Sequence, residues 1–170
     1  MEIRVDSDDP QTVPGELQVR GDVVMQGYYK NEQATRDAFT DDGWLHTGDL
    51  GVLDEGGNIF IRGRSKTMIL GPNGQNIYPE EIEDVIVNLP YMLESIVVKR
   101  DQKLVALVYL DADSIKRETL SDADIAAVLK TNLRHLNQKL PSYSRIANFE
   151  IMDHPFEKTP KRSIKRFLYK

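Results

Sequence analysis

The sequence predicts an α+β protein in two parts: a β-rich first third, then a small domain of order β-α-β-β-α-β with an antiparallel or mixed sheet. Three observations predict it. The first third alternates polar and apolar residues between Gly/Asp/Asn turns, which is the period of half-buried strands. Two later segments, after Tyr78 and after Ser121, carry apolar residues at helical spacing. The charge balance also changes midway. Residues 1–62 are net −8, and residues 63–170 are net +3. Such asymmetry points to two units with different work.

The elements follow in order. Residues 6–15 are turn formers and read as a surface loop. Glu16 to Arg20 places Leu17 and Val19 on one face, as a strand does, with Val23 to Tyr29 as its expected partner beyond the Gly21-Asp22 turn. Asn31 can cap a short helix running to Phe39, with Glu32 in the first turn, where the helix dipole favours an acid. Leu50 to Leu53 and Ile59 to Ile61 flank Asp54-Glu55-Gly56-Gly57-Asn58, a hairpin signal. Gly63-Arg64-Ser65-Lys66 coincides with the charge change and is the expected boundary. Thr67 to Leu70 is a short strand, and Gly71 to Asn76 a breaker-rich loop. Pro79 and two glutamates open a helix whose apolar face is Ile82, Val85, Ile86 and Leu89. Ser95 to Val98 and Leu104 to Leu110 are strands around a short polar turn. Ser121 caps a longer helix with the stripe Ile125, Val128, Leu129, Leu133 and Leu136, which Pro141 ends. Ile146 to Met152 is the last strand. The second part can enclose a core and fold alone, whereas the first is expected to expose apolar surface.

Composition excludes several functions. The chain has 170 residues, 40% of them hydrophobic, and 22 basic against 27 acidic residues give a net charge of −5. That disfavours a uniformly basic nucleic-acid binder. With no cysteine there is no disulfide, thiolate metal site or thiol nucleophile. His46, His135 and His154 have no metal-ligand spacing. The longest apolar run, Leu104 to Leu110, is too short to span a bilayer. The N-terminus resembles no signal or transit peptide, so a cytoplasmic protein is expected.

One arrangement carries chemistry. Thr47-Gly48-Asp49 and Gly63-Arg64 flank the hairpin, so a paired ladder can bring Asp49 and Arg64 together. A carboxylate beside a guanidinium is usually a structural salt bridge. It can also hold a vicinal diol, because the carboxylate accepts hydroxyl protons and the guanidinium donates to the oxygens. The last residues are strongly basic: Lys158, Lys161, Arg162, Lys165, Arg166 and Lys170. A frayed, solvated tail is the plain reading, and an anion site the functional one.

Gly15 to Gly21, Val24 to Thr35, Gly43 to Gly51, Gly63 to Lys66 and Gly74 to Glu83 occur in an order and spacing that closely resembles the C-terminal portion of adenylate-forming acyl-CoA synthetases. Ser65 to Leu70, followed by Asn76 to Pro79, is most similar to long-chain fatty-acyl-CoA synthetases. The resemblance implies activation of a carboxylate with ATP to an acyl-adenylate, then transfer to CoA. It makes residues 1–62 the β-rich end of the large AMP-binding domain, residues 63–66 the hinge and residues 67–170 the mobile lid. It assigns Thr47, Asp49 and Arg64 to nucleotide (ATP/AMP) binding, Lys66 to the hinge, and Gly74, Gln75 and Asn76 to the CoA channel. Relatives end in Thr-Pro-x-Gly-Lys-Ile-x-Arg, and that lysine serves adenylation. Here Ser163 occupies its position, which leaves Lys161 and Lys165 as candidate substitutes. Mg2+ is expected for the parent enzyme, with no ligand identified in this chain. Expected partners are ATP, a fatty acid, CoA and the missing N-terminal domain, with no nucleic acid and at most peripheral membrane contact. The parent protein is then expected to be longer than this chain, with Met1 either a natural start or a boundary, and the chain alone is expected to be inactive. Two other readings stand beside this one: an adenylation domain loading a carrier protein, and a non-enzymatic module using the basic tail.

Overall fold

Turn residues cut the first sixty residues into strands too short to bend far, and they pair as a meander. In the computed structural model, which describes residues 1–169, the chain divides into two compact units, Met1–Met68 and Ile69–Lys170. In the first, β1 (Glu2–Asp6), β2 (Gly15–Arg20), β3 (Leu45–Leu53) and β4 (Ile59–Arg64) form an antiparallel sheet in that order. Helix α1 (Glu32–Ala38) lies between β2 and β3 in sequence, and its cap is the Asn31 side chain, which accepts from the Ala34 N–H. Val5, Leu17, Trp44 and Val52 are buried. The Arg4 and Arg20 guanidinium carbons lie 4.5 and 4.6 Å from the Trp44 ring centroid, and Arg4 also pairs with Asp42 at 2.7 Å. These contacts brace the turn that leads into β3.

One expectation for this unit fails, and one strand is unanticipated. Glu2–Asp6 is a strand, which only Ile3 and Val5 could have signalled in so short a run. Val23 to Tyr29 is not the partner of β2: β1 and β3 occupy both of its edges, so no ladder position is left. Gly15 explains how tightly β1 and β2 join, because a β-carbon there would lie 2.0 Å from the Asp6 carbonyl oxygen. The charge step also falls inside β4, six residues before the unit ends. The Thr67 and Met68 N–H groups both donate to the Arg64 carbonyl at 3.1 Å, which holds that turn to the first unit.

The second unit opens with a small hairpin, β5 (Ile69–Leu70) and β6 (Asn76–Ile77), followed by α2 (Pro79–Ile86). Then come β7 (Met92–Arg100), β8 (Lys103–Leu110), α3 (Ala112–Arg117), α4 (Asp122–Lys139) and β9 (Ile146–Ile151). The sheet order is β7-β8-β9, with β7–β8 antiparallel and β8–β9 parallel. The fold is therefore α+β with a mixed sheet. Helix α3, not expected from the sequence, is six residues long and is capped by Asp111, whose side chain accepts from the Ser114 N–H. One core joins Ile82 and Ile86 of α2 and Leu136 of α4 to Ala106 and Val108 of β8. A second joins Ile96, Val105 and Leu107 to Phe156, with Ile164 and Tyr169 packed against it. The tail is therefore a folded cover, not a frayed end. Lys170 lies outside the described residues.

Candidate functional site

Within β3, the bend at Thr47–Gly48 is held by one carboxylate of the neighbouring strand. Glu16 on β2 accepts the Gly48 N–H at 2.9 Å through Oε1, and its Oε2 lies 2.7 Å from His46 Nδ1. Thr47 Oγ1 donates to the Leu17 carbonyl at 2.6 Å and accepts the Asp49 N–H at 3.1 Å. Gly48 has φ +74, a conformation that glycine adopts without strain. Asp49 is the ladder partner of Arg64, and Arg64 Nε lies 3.1 Å from Asp49 Oδ1. The same guanidinium donates to the Thr47 carbonyl at 3.3 Å. The side chains of Arg64 and Asp49 are 61% and 37% exposed, so a ligand can reach the pair. Beside it opens a concavity of about 730 Å³, lined in part by His46, Thr47, Gly48, Arg64, Ser65 and Lys66. Sequence reasoning missed Glu16. Its role depends on partners 30 and 32 residues away, which no local pattern displays.

Gly74, Gln75 and Asn76 lie at the end of the β5–β6 hairpin. The Gly71 N–H donates to the Gln75 carbonyl at 2.8 Å, and Gly74 has φ +83 with open space where a β-carbon would stand. A thin ligand could approach this backbone closely.

The tail cations are mostly spoken for. Lys158 pairs with Glu94, and Lys165 with Glu157 at 3.2 Å. Arg166 pairs with Glu83 and lies 3.7 Å from Glu80 Oε1. Glu83 is buried and also accepts the Val97 N–H at 2.6 Å. Burial pushes its carboxyl up from the usual range, against the pull of Arg166 and the Val97 N–H. Lys161 and Arg162 are exposed at the tip of the turn, with no ion pair among the described residues. The expected dense positive patch is thus reduced to these two, because the other described cations meet carboxylates, two of them more than sixty residues away in sequence. Ser163 is exposed and brings no charge. Among the described residues no group of three or more His, Cys, Asp or Glu side chains is placed to hold a metal ion. No helix among them is long and apolar enough to cross a membrane.

Residues 66–169 match the family model of the AMP-binding enzyme C-terminal domain. The chain is 34% identical over 172 residues to the long-chain-fatty-acid–CoA ligase FadD15 of Mycobacterium tuberculosis, covering 89% of this chain and 28% of that protein. It is 35% identical over 162 residues to the 2-succinylbenzoate–CoA ligase of Bacillus licheniformis, covering 89% of this chain and 33% of the relative. Among solved structures, the O-succinylbenzoate coenzyme A synthetase of Bacillus subtilis in complex with AMP superposes with a TM-score of 0.77 at 27% identity. That match covers 99% of this chain and 33% of the solved one. The chain therefore spans about a third of the length of the proteins it matches. On these matches and this fold, the chain belongs to the AMP-binding enzyme C-terminal domain family, with relatives among the CoA ligases.

Proposed function

We propose that this chain is the C-terminal part of an ATP-dependent acyl-CoA synthetase, which joins a carboxylate to AMP and then passes the acyl group to CoA. The observation that carries this reading is the solvent-open Asp49–Arg64 pair, held across a ladder at 3.1 Å beside a concavity. A ribose diol needs an acceptor for its two hydroxyl protons and a donor to its oxygens, and this pair offers both. The Glu16 carboxylate supports the turn from the opposite strand, so Asp49 is held before a ligand arrives. Lys66, two residues before the first unit ends, is the proposed hinge residue about which the second unit turns between half-reactions. Residues 1–62 would then close the large domain, residues 63–66 hinge, and residues 67–170 form the lid. Gly74, Gln75 and Asn76 would line the path of the CoA arm. The tail turn would face the nucleotide phosphates. Lys161 stands free for that task, whereas Lys165 is engaged by Glu157. Similarity to the fatty-acid ligase supports a long-chain acid as substrate.

The test uses the protein that carries this chain in full. Asp49→Ala should lower kcat/KM for ATP by about 100-fold, the scale of two hydrogen bonds to a charged group. With 2′,3′-dideoxy-ATP the same substitution should change little, since the diol is gone. An equal loss with both nucleotides would refute the diol assignment.

A further inference from the structure

One peptide group joins Glu16 to Arg64. Glu16 Oε1 accepts the Gly48 N–H at 2.9 Å, and Arg64 Nη2 donates to the Thr47 carbonyl at 3.3 Å. That N–H and that carbonyl belong to the same peptide unit. The unit is planar and trans, so its N–H and C=O point in opposite directions. The carboxylate on β2 therefore grips one end and turns the other toward Arg64 on β4. Arg64 is held at a second point, where its Nε lies 3.1 Å from Asp49 Oδ1. Two fixed points set the plane of a guanidinium, whose donors form a rigid fork. Without the Thr47 carbonyl, this largely exposed side chain keeps only its Asp49 contact and regains rotamer freedom.

Glu16 is itself held. Its Oε2 lies 2.7 Å from His46 Nδ1. An ionised carboxylate only accepts, so His46 carries a hydrogen on Nδ1 whether the ring is neutral or charged. Gly48 admits the bend, and a β-carbon there would stand 3.5 Å from Arg64 Nη2. Ser65 closes the bend, its N–H donating to the Gly48 carbonyl at 2.9 Å. All of these residues lie in the first unit. We propose that Glu16, held by His46, is a positioning residue that orients the Arg64 guanidinium for the nucleotide sugar through the Thr47–Gly48 peptide. This rests on the reading above, in which Asp49 and Arg64 hold the ribose diol. A guanidinium aimed in advance loses less freedom when the ligand binds, so Glu16 serves nucleotide binding and not the bond-making that follows.

A neutral amide in place of this carboxylate behaves differently. In Glu16→Gln the one oxygen keeps the Gly48 N–H, and the amide then needs an acceptor at His46 Nδ1, which a charged ring cannot offer. The titratable and charged groups that share the concavity with His46 are Glu16, Tyr28, Asp37, Arg64 and Lys66. Its register partner on β2, Gln18, binds Arg4 and Asp6.

The experiment measures carboxylate-dependent ATP–pyrophosphate exchange in the protein that carries this chain in full. ATP is varied, and pH is stepped from about 8 to about 5, the span in which histidines gain charge. Glu16→Ala should raise KM for ATP about tenfold, the lower end for a lost bond to a charged group. Its kcat and its KM for the carboxylic acid should stay within twofold of wild type. In an Arg64→Met background the same substitution should change KM for ATP by less than twofold, because its route to the ligand is gone. Glu16→Gln should stay within about threefold of wild type at the upper pH, and its KM relative to wild type should rise as pH falls. His46→Asn, whose amide N–H replaces the Nδ1–H, should stay closer to wild type than His46→Ala. KM within twofold of wild type in Glu16→Ala would overturn the proposal and leave the functional reading standing. An undiminished loss in the Arg64→Met background, or kcat falling together with affinity for both substrates, would also overturn it, since either marks general support of the sheet. Should Glu16→Ala fail to fold, Glu16→Gln decides: a KM ratio to wild type that is flat across pH would overturn the proposal. A wild-type protein without carboxylate-dependent exchange would overturn the functional reading, and this proposal with it.

Discussion

Replacing Arg166 by Met tests how the tail is fastened. Glu83 is buried, its side chain only 11% exposed, and Arg166 is its cationic partner. Removing the guanidinium leaves a buried carboxyl with the Val97 N–H alone. Breaking such a pair costs about 3–5 kcal/mol. The Arg166 side chain is itself 25% exposed, so the lower end, about 3 kcal/mol, applies. For a unit of this size each kcal/mol moves the melting temperature by roughly 4–8 °C, so the expected drop is about 12 °C or more. The assay is thermal unfolding of the chain followed by circular dichroism, with amide exchange at Val97 and Leu107 reporting the second unit. Trp44, the sole tryptophan, reports the first unit by fluorescence and should not change. The double variant Glu83→Leu/Arg166→Met should recover most of the loss, because both charges are gone. A drop below about 3 °C in the single variant, or a double variant no better than the single, would refute the reasoning.

Other outcomes follow from the same geometry. The Arg4 hydrogen bond holds the Asp42 carboxyl down at about 2, against an ordinary 3.8. The unfolded chain binds that proton more readily, so the first unit should gain stability as pH rises from about 2 to 3.8 and lose it on acidification through that window. Glu83 has the opposite sign: its native carboxyl sits above its ordinary 4.5, so its contribution to the second unit should weaken as pH rises from 4.5. Separate melts of the two units between pH 2 and pH 6, read by Trp44 fluorescence and by exchange at Val97, check both slopes. Gly15→Ala should unpair β1 from β2, since its β-carbon would meet the Asp6 carbonyl at 2.0 Å; unchanged protection of the Ile3 and Val5 amides would contradict this. Leu136→Ala should destabilise the second unit by about 2–5 kcal/mol in urea unfolding, because Leu136 is fully buried between α4 and the sheet.

Much of this architecture is legible in local pattern. Apolar residues three and four apart give α2 and α4, and the capping signal at Ser121 is realised as a reciprocal bond with Asp124. The β3–β4 hairpin and the meeting of Asp49 with Arg64 follow from turn residues between two apolar runs. Where pattern fails, the cause is a partner distant in sequence. The strand β1 exists because β2 has a free edge, and Val23 to Tyr29 is excluded because that edge is then filled. The tail reads as a run of cations until Glu83, Glu94 and Glu157 are brought to it, two of them more than sixty residues away. Glu16 is hidden for the same reason. Its neighbours in sequence reveal a strand, and only the fold reveals that it carries the Thr47–Gly48 turn.

If this chain serves acyl-adenylate formation, as proposed, one measurement shows it directly. The protein that carries the chain in full is given ATP, labelled pyrophosphate and a long-chain fatty acid, and label entering ATP is followed with hydroxylamine trapping of the acyl group. Exchange that requires the carboxylic acid, with a trapped hydroxamate and at least about 100-fold loss in Asp49→Ala, is the predicted result. Exchange absent with every carboxylic acid tried, or undiminished in Asp49→Ala, would contradict it.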